Sequence, residues 1–237
     1  MRILNIAGYQ FIHLNDLNNL QQALLYQCRH LQLKGTILLS HEGINLSLAG
    51  ESENVHALKA YLHEKMPSVT FAFHETYSSE QSFDRLKVKI KNEIITMRHH
   101  VNVLTANAPY LAPSVLKQWL DEKRKFTLLD TRNDYEIAWG TFSNAMNLQL
   151  AHFNEFSTAI HTIPPDQTIV TFCTGGIRCE KAALFLLQQG YTQVYQLAGG
   201  ILAYFAQVGG THYDGHCFVF DKRVALDSCL NPVGNMG

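Results

Sequence analysis

Thr168-Ile-Val-Thr-Phe-Cys173-Thr-Gly-Gly-Ile-Arg-Cys179-Glu-Lys-Ala182 is the stretch on which the fold turns. Its first five residues are β-branched or aromatic, as in a buried strand. A helical period resumes only at about Ile177 and runs to Gln189, so the residues between must cap the helix. A ligand at Cys173 then faces a helix N-terminus. Unpaired N–H groups and the positive end of the helix dipole stabilise an anion there, which lowers a cysteine pKa and favours thiolate or persulfide at neutral pH. Gly175 and Gly176 permit the positive φ values and close backbone approach that such a cradle needs. Thr174 and Ile177 complete it. Alone, a cysteine and two glycines after a strand form a structural turn more often than a reactive one, so the flanking sequence has to decide.

Working outward, the chain beyond residue 108 alternates helix and strand. The periodicity predicts helix Pro113 to Glu122, strand Phe126 to Asp130, short strand Ala145 to Leu148 and helix His152 to His161. Strand Thr168 to Phe172, helix Ile177 to Gln189, strand Gln193 to Leu197 and helix Ile201 to Val208 follow. Such alternation implies a parallel sheet covered on both faces. Thr105-Ala-Asn-Ala-Pro109, with Pro113 beyond it, breaks the period as a linker does. The expected divisions are residues 1–108, 109–212 and a tail, 213–237.

Before the linker the order is strand (Ile3 to Ala7), helix (Asp16 to Leu31) and strands Thr36 to Ser40 and Ile44 to Leu48 around a turn at His41-Glu-Gly43. A helix from Glu53 to Lys65 and a strand from Val69 to Phe73 follow. The first helix carries its apolar stripe at Leu17, Leu20, Leu24, Cys28 and Leu31. The order β-α-β-β-α-β is the ferredoxin-like pattern, with two helices over one face of an antiparallel sheet. A hairpin, Leu86 to Ile90 and Ile94 to Met97 turning through Asn92, is expected to extend it.

Composition narrows the class. With 237 residues, 46% hydrophobic and 16% charged, the chain can bury a core without disulfide staples. No stretch of about eighteen apolar residues suggests a membrane span. The apolar run before Asn15 and Asp16 is too short for a signal peptide, so a cytoplasmic location is expected. Five cysteines, at 28, 173, 179, 217 and 229, make neither a disulfide framework nor a CxxC zinc pair. A net charge of -1 gives no global field for a polyanion, so any nucleic-acid binding must come from a local patch.

The second half resembles the rhodanese family at three places. Leu128-Leu-Asp130-Thr-Arg132, with Tyr135-Glu136 and Gly140, is similar to its D-x-R…E…G signature. Val170 to Lys181 is similar to its strand, active loop and helix, with Cys173 at the catalytic cysteine's place, and Leu197-Ala-Gly-Gly200 to its glycine pair after the last strand. A tyrosine-phosphatase loop would carry arginine where Cys179 stands, to hold phosphate bidentately; Arg178 is one place early, which argues against that activity. The resemblance makes Asp130, Arg132 and Glu136 supports of the rhodanese site; Asp130 and Arg132 also have a plainer reading as a local pair bracing the sheet end.

A narrower resemblance covers nearly the whole chain. Cys173 to Ala182, with Leu38-Leu-Ser-His-Glu-Gly-Ile-Asn45 upstream and Phe218-Val-Phe-Asp221 downstream, is similar to the bacterial tRNA uridine(34) hydroxylases. That resemblance implies oxygen-dependent 5-hydroxylation of the tRNA wobble uridine by a ferredoxin-like or acylphosphatase-like domain fused to a rhodanese domain. Molecular oxygen is then the co-substrate, the tRNA anticodon loop the partner, and a sulfur donor or reductant a further one. Cys173 takes the catalytic place; Cys179 either holds a persulfide itself or resolves one; Arg178 stabilises anionic sulfur or a tRNA phosphate. Nothing in the residues suggests haem, flavin or a nonhaem iron triad, so no bound metal or organic cofactor is expected. Two departures stand out. Gly140-Thr141 replaces the usual Gly-His, and the tail carries only Cys229 where many relatives are cysteine-rich, so no metal site is expected there.

A place for RNA is sought in Phe83-Asp-Arg-Leu-Lys-Val-Lys-Ile-Lys91. Period two would put Phe83, Arg85, Lys87, Lys89 and Lys91 on one strand face, with cations for phosphate and a ring for stacking. The alternative is an edge kept charged to discourage pairing. Glu42 or Asn45 would read a nucleotide edge unless the segment is merely a hairpin turn. Three functions follow from these readings: tRNA hydroxylase, sulfurtransferase carrying a cysteine persulfide, and noncatalytic adaptor using the rhodanese fold as a surface.

Overall fold

The computed structural model describes residues 2–163 and 166–234, so the last part of the expected tail lies outside the described residues. It divides into two compact units. One is the chain to Ile95 together with Asp221–Arg223; the other is Thr96–Phe220 with the chain from Val224.

The first unit runs β1 (Ile3–Phe11), α1 (Leu17–His30), β2 (Lys34–Ser40), β3 (Gly43–Glu51), α2 (Ser52–Lys65), β4 (His74–Ser78) and β5 (Leu86–Ile90). The sheet order is β4-β1-β3-β2-β5, antiparallel through β2, with β5 added parallel to β2 at the edge. This is the ferredoxin-like order with one strand more. Strand periodicity sets the core: Ile44, Leu46 and Leu48 of β3, with Leu4, Ile6, Ile37 and Leu39, meet Leu24 and Cys28 of α1 and Val55, Leu58 and Leu62 of α2. Asp16 caps α1, accepting the Asn19 N–H at 3.3 Å. Gly43 has φ +151°, and a Cβ there would lie 2.1 Å from the Gln10 carbonyl of β1, so no side chain fits beside the His41-Glu42 turn.

Three expectations need correction. The strand foreseen at Val69 to Phe73 lies instead at His74–Ser78. Val69 is buried and Phe71 and Phe73 pack on the core, so their apolar character serves the crossing from α2 to the sheet edge rather than a ladder. The second hairpin arm, Ile94 to Met97, does not form a strand. Ile94 is instead clamped through its backbone: its N–H donates to Glu42 Oε1 at 2.8 Å, and its carbonyl accepts Asn45 Nδ2 at 3.2 Å. Glu42 and Asn45 therefore hold a peptide of this chain rather than facing a nucleotide edge. Lastly, the basic row is shorter than its period suggested. Lys87 and Lys89 lie within β5 opposite the core-facing Val88, Arg85 and Lys91 flank the strand, and half-buried Phe83 sits in the bend before it.

The second unit comprises β6 (Tyr110–Leu111), α3 (Pro113–Asp121), β7 (Thr127–Asp130), α4 (Asp134–Ile137), β8 (Gly140–Phe142), β9 (Met146–Asn147) and α5 (Phe156–Ala159). After these come β10 (Ile169–Phe172), α6 (Ile177–Gln188), β11 (Val194–Leu197), α7 (Gly200–Val208), β12 (Tyr213–Gly215), β13 (Cys217–Phe218) and β14 (Ala225–Leu226). The parallel sheet has the order β6-β11-β10-β7-β9. β10 is central and buried on both faces. Val170 and Phe172 join the core with Leu116 of α3 and Ile201 and Phe205 of α7, while the Thr171 hydroxyl, on the opposite face, donates to the Cys179 carbonyl of α6 at 3.0 Å. The helix expected from His152 to His161 is broken into the short α5 between two 3-10 turns. Among the described residues no helix is long and apolar enough to cross a membrane.

Glu42→Ala would leave the Ile94 amide without its acceptor inside the protein. A stability loss of about 1–3 kcal/mol is expected, seen as a lower urea midpoint. An unchanged urea midpoint in Glu42→Ala would show that the Ile94 amide does not depend on this carboxylate.

Candidate active site

Cys173 follows the last residue of β10, at the carboxyl edge of the sheet where open parallel sheets place their ligands. Its Sγ accepts the Gly176 N–H at 3.2 Å. Gly176 is the N-cap of α6 with φ +107°, so of the two loop glycines it is the one whose missing Cβ makes the reversal possible. Cys179, in the first turn of α6, gives its thiol proton to the Gly176 carbonyl at 2.9 Å. Neither sulfur has any exposed surface.

Burial pushes the Cys173 thiol up, but the Cys179 thiol, the Arg178 charge and the backbone N–H groups of Cys179 and Gly176 together outweigh it, and its pKa falls to about 6. Burial and the neighbouring Cys173 push Cys179 well above the usual thiol range. The surroundings thus favour the thiolate on Cys173 and the neutral thiol on Cys179. A second helix holds the loop from behind. Gly199 and Gly200 both have positive φ, which lets α7 begin against the loop: Ile201 N–H donates to the Cys173 carbonyl at 2.9 Å and Leu202 N–H to the Thr174 carbonyl at 3.1 Å. A Cβ on Gly200 would stand 2.4 Å from the Cys173 carbonyl oxygen, which gives the glycine pair after β11 its physical reason.

Of the two roles expected for Arg178, its placement agrees with support of anionic sulfur rather than with an outward-facing phosphate contact. It is buried, with Nη1 and Nη2 both on the Glu136 carboxylate, the latter at 2.8 Å from Oε2. It reaches the sulfur through its charge. Glu136 Oε1 also accepts the Asn133 N–H at 3.0 Å at the start of α4. One strand away, Asp130 and Arg132 form a second pair, both wholly covered, joined at 3.0 Å (Nε to Oδ1) and 2.6 Å (Nη2 to Oδ2). Arg132 also donates to the Gly140 carbonyl at 2.7 Å, and the Thr141 hydroxyl donates to Asp130 Oδ2 at 2.8 Å. Thr141, standing where histidine is usual, thus completes the carboxylate's shell. Burial works to discharge both arginines, and the carboxylates hold them protonated.

Several residues escaped the sequence reading. Cys217 of β13 is buried, its thiol pushed up to about 12 by burial, with the Thr174 side chain beside it. Tyr213 donates its hydroxyl to the Gly140 carbonyl at 2.8 Å, bracing the same corner as Arg132. Glu180 and Lys181, which look like ordinary helix-start residues, are buried. The rings of Tyr135, Trp139, Phe218 and Phe220 form a connected cluster, and the Arg178 guanidinium lies 5.8 Å from the Phe220 ring centre. All five cysteines are free thiols. Among the described residues no group of three His, Cys, Asp or Glu side chains is placed to hold a metal.

Titration of the thiolate by ultraviolet absorbance should show a midpoint near 6 in the unaltered protein. In Arg178→Gln it should move up toward the ordinary 9.0, because the cation is gone and the Glu136 charge stands alone. The depressed pKa also makes Cys173 stabilising above its ordinary value, an effect that shrinks as pH falls to about 6. An unmoved midpoint in a folded Arg178→Gln protein would refute the electrostatic assignment.

Comparison with known proteins places these features in a family. Residues 3–94 match the family described as UPF0176 acylphosphatase like domain, and residues 112–207 the rhodanese-like domain. A protein of Cupriavidus taiwanensis named tRNA uridine(34) hydroxylase is 47% identical over 243 residues, 99% of this chain and 86% of its own length. One of the same name from Xanthomonas campestris pv. campestris is 45% identical over 242 residues, 98% of this chain and 96% of its own. A solved rhodanese-like domain from Anabaena is similar over 45% of this chain and 79% of its own, with 24% identity and a TM-score of 0.39. The first unit is therefore acylphosphatase-like and the second rhodanese-like, and the chain belongs to the tRNA uridine(34) hydroxylase family.

Proposed function

We propose that this chain hydroxylates C5 of the wobble uridine of tRNA, with molecular oxygen as co-substrate and Cys173 as the reacting group. The observation that carries this reading is a cysteine sulfur cradled by the Gly176 N–H at the end of the central strand, in a chain whose near full-length relatives bear that name. The C5=C6 bond of uracil is conjugated to the C4 carbonyl, so a soft anion adds at C6 and makes C5 the nucleophilic carbon of an enolate. C5 is the atom that must bond oxygen. Loss of the C5 proton and departure of the thiolate then restore the ring. Overall, C5–H, O2, two electrons and two protons give C5–OH and water, the electrons coming from a dithiol or another two-electron reductant. Cys179 keeps its proton next to the sulfur and steadies the thiolate on departure.

An anticodon loop suits this site because its bases are unpaired and can be splayed out. Arg85, Lys87, Lys89 and Lys91 supply phosphate attraction in the first unit. On this reading the enzyme works in the cytoplasm, with its tRNA. The same cradle would also steady a persulfide on Cys173, so sulfur transfer is the rival the experiment must separate.

Unmodified tRNA incubated with the protein and a dithiol should gain one oxygen on the anticodon uridine in air and none without oxygen, by nucleoside mass spectrometry. Cys173→Ser should lower the rate at least about a thousandfold, and Cys179→Ser roughly tenfold at neutral pH through the lost support of the thiolate. Turnover of thiosulfate with cyanide but no hydroxylation would hand the site to sulfur transfer. Replacing Lys87 and Lys89 by alanine should weaken tRNA binding and reduce its salt slope by roughly one for each lysine.

A further inference from the structure

Sulfur chemistry gives no reason for the aromatic cluster beside the loop. Phe218 of β13 is its hub, meeting Tyr135 of α4 edge-on at 5.6 Å and 85°, Phe220 edge-on at 5.2 Å and 88°, and Trp139 at 6.4 Å. The outer rings stand in water: Phe220 is 61% exposed and Tyr135 47%. By contrast Phe142, Phe172 and Tyr204 of the same unit are wholly buried. Phe220 also lies within cation–π range of Arg178, whose charge acts on Cys173.

We propose that Phe220 and Tyr135 form a stacking platform for unpaired bases of the RNA substrate, delivering the anticodon loop to the Cys173 thiolate. The proposal deepens the function proposed above and rests on it. Two observations select nucleobases as the occupant. The first is continuity: Phe220 lies against Arg178 in the first turn of α6, the helix that carries the cysteine loop, so a base on the platform is held beside that loop. The second is size. Two exposed rings, at about 150–250 Å² each, fall well short of the roughly 800 Å² per partner of a stable protein interface, yet each matches one base, for which a flat face suffices.

The test compares the full-length protein with Phe220→Ala, Tyr135→Ala and Phe220→Trp, measuring hydroxylation kinetics, affinity for an anticodon stem-loop RNA and the thiolate midpoint. Each alanine variant should raise KM for tRNA and the stem-loop Kd by roughly 5- to 100-fold, while kcat and the midpoint move little and Phe220→Trp restores affinity. Wild-type KM and affinity in both alanine variants would overturn the platform while leaving hydroxylation by the unaltered protein intact. A self-association lost in the variants, with RNA affinity unchanged, would overturn it equally. Failure of the unaltered protein to bind or hydroxylate tRNA would remove the proposed function, and the platform with it.

Discussion

Glu136 and Arg178 meet as a buried ion pair, and most of the rhodanese-like unit's chemistry depends on where that pair holds the positive charge. The carboxylate comes from α4 and the guanidinium from the first turn of α6, so their contact ties the segment after β7 to the helix that carries the cysteine loop. Burying two opposite charges contributes little net stability, because desolvation offsets most of the attraction, whereas breaking such a pair costs about 3–5 kcal/mol. Its value therefore lies in position. With both nitrogens on one carboxylate, Arg178 cannot swing over to the sulfur and neutralise it by direct contact. It lowers the thiol pKa from a fixed distance and leaves the thiolate's lone pairs for the cradle.

A simpler, local carboxylate–guanidinium pair appears twice. Asp130-Thr-Arg132 and Asp221-Lys-Arg223 fold alike: in each the arginine N–H reaches the aspartate Oδ1 at 3.0 Å and Nη2 reaches Oδ2 at 2.6 Å. The first closes the end of β7 and orders the corner made by Gly140, Thr141 and Tyr213. The second belongs with the acylphosphatase-like unit, where Arg223 also donates to the Thr76 hydroxyl at 2.5 Å. In both, a short aspartate fixes the backbone turn and an otherwise flexible guanidinium at once, which is how the wholly covered Arg132 can be tolerated.

The portions of the fold readable from sequence are those whose cause is local. β10, its loop and α6 are contiguous, and an apolar strand, glycines and a helical stripe each act on near neighbours. The ferredoxin-like order was readable for the same reason, since β3 and both helices carry their own period. What escaped depends on distant partners. α4, β8 and β12–β14 are only two to four residues long, too short to show a period. The Ile94 arm looked like a strand because a buried isoleucine has the same composition whether a ladder or two side chains hold it. Arg178 looked available because its partner lies 42 residues away. The aromatic cluster joins residues 135 and 139 to 218 and 220, which only the folded chain brings together.

The covering of Cys173 bears on how long the protein stays intact. Ionised sulfur is the form that hydrogen peroxide converts to sulfenic and then, irreversibly, to sulfinic acid. Here that sulfur has no exposed surface, while the exposed Cys229 is an ordinary target at the other extreme. A diffusing oxidant must wait for the cover over the sulfur to open, and the rate of damage is then set by how often that cover yields.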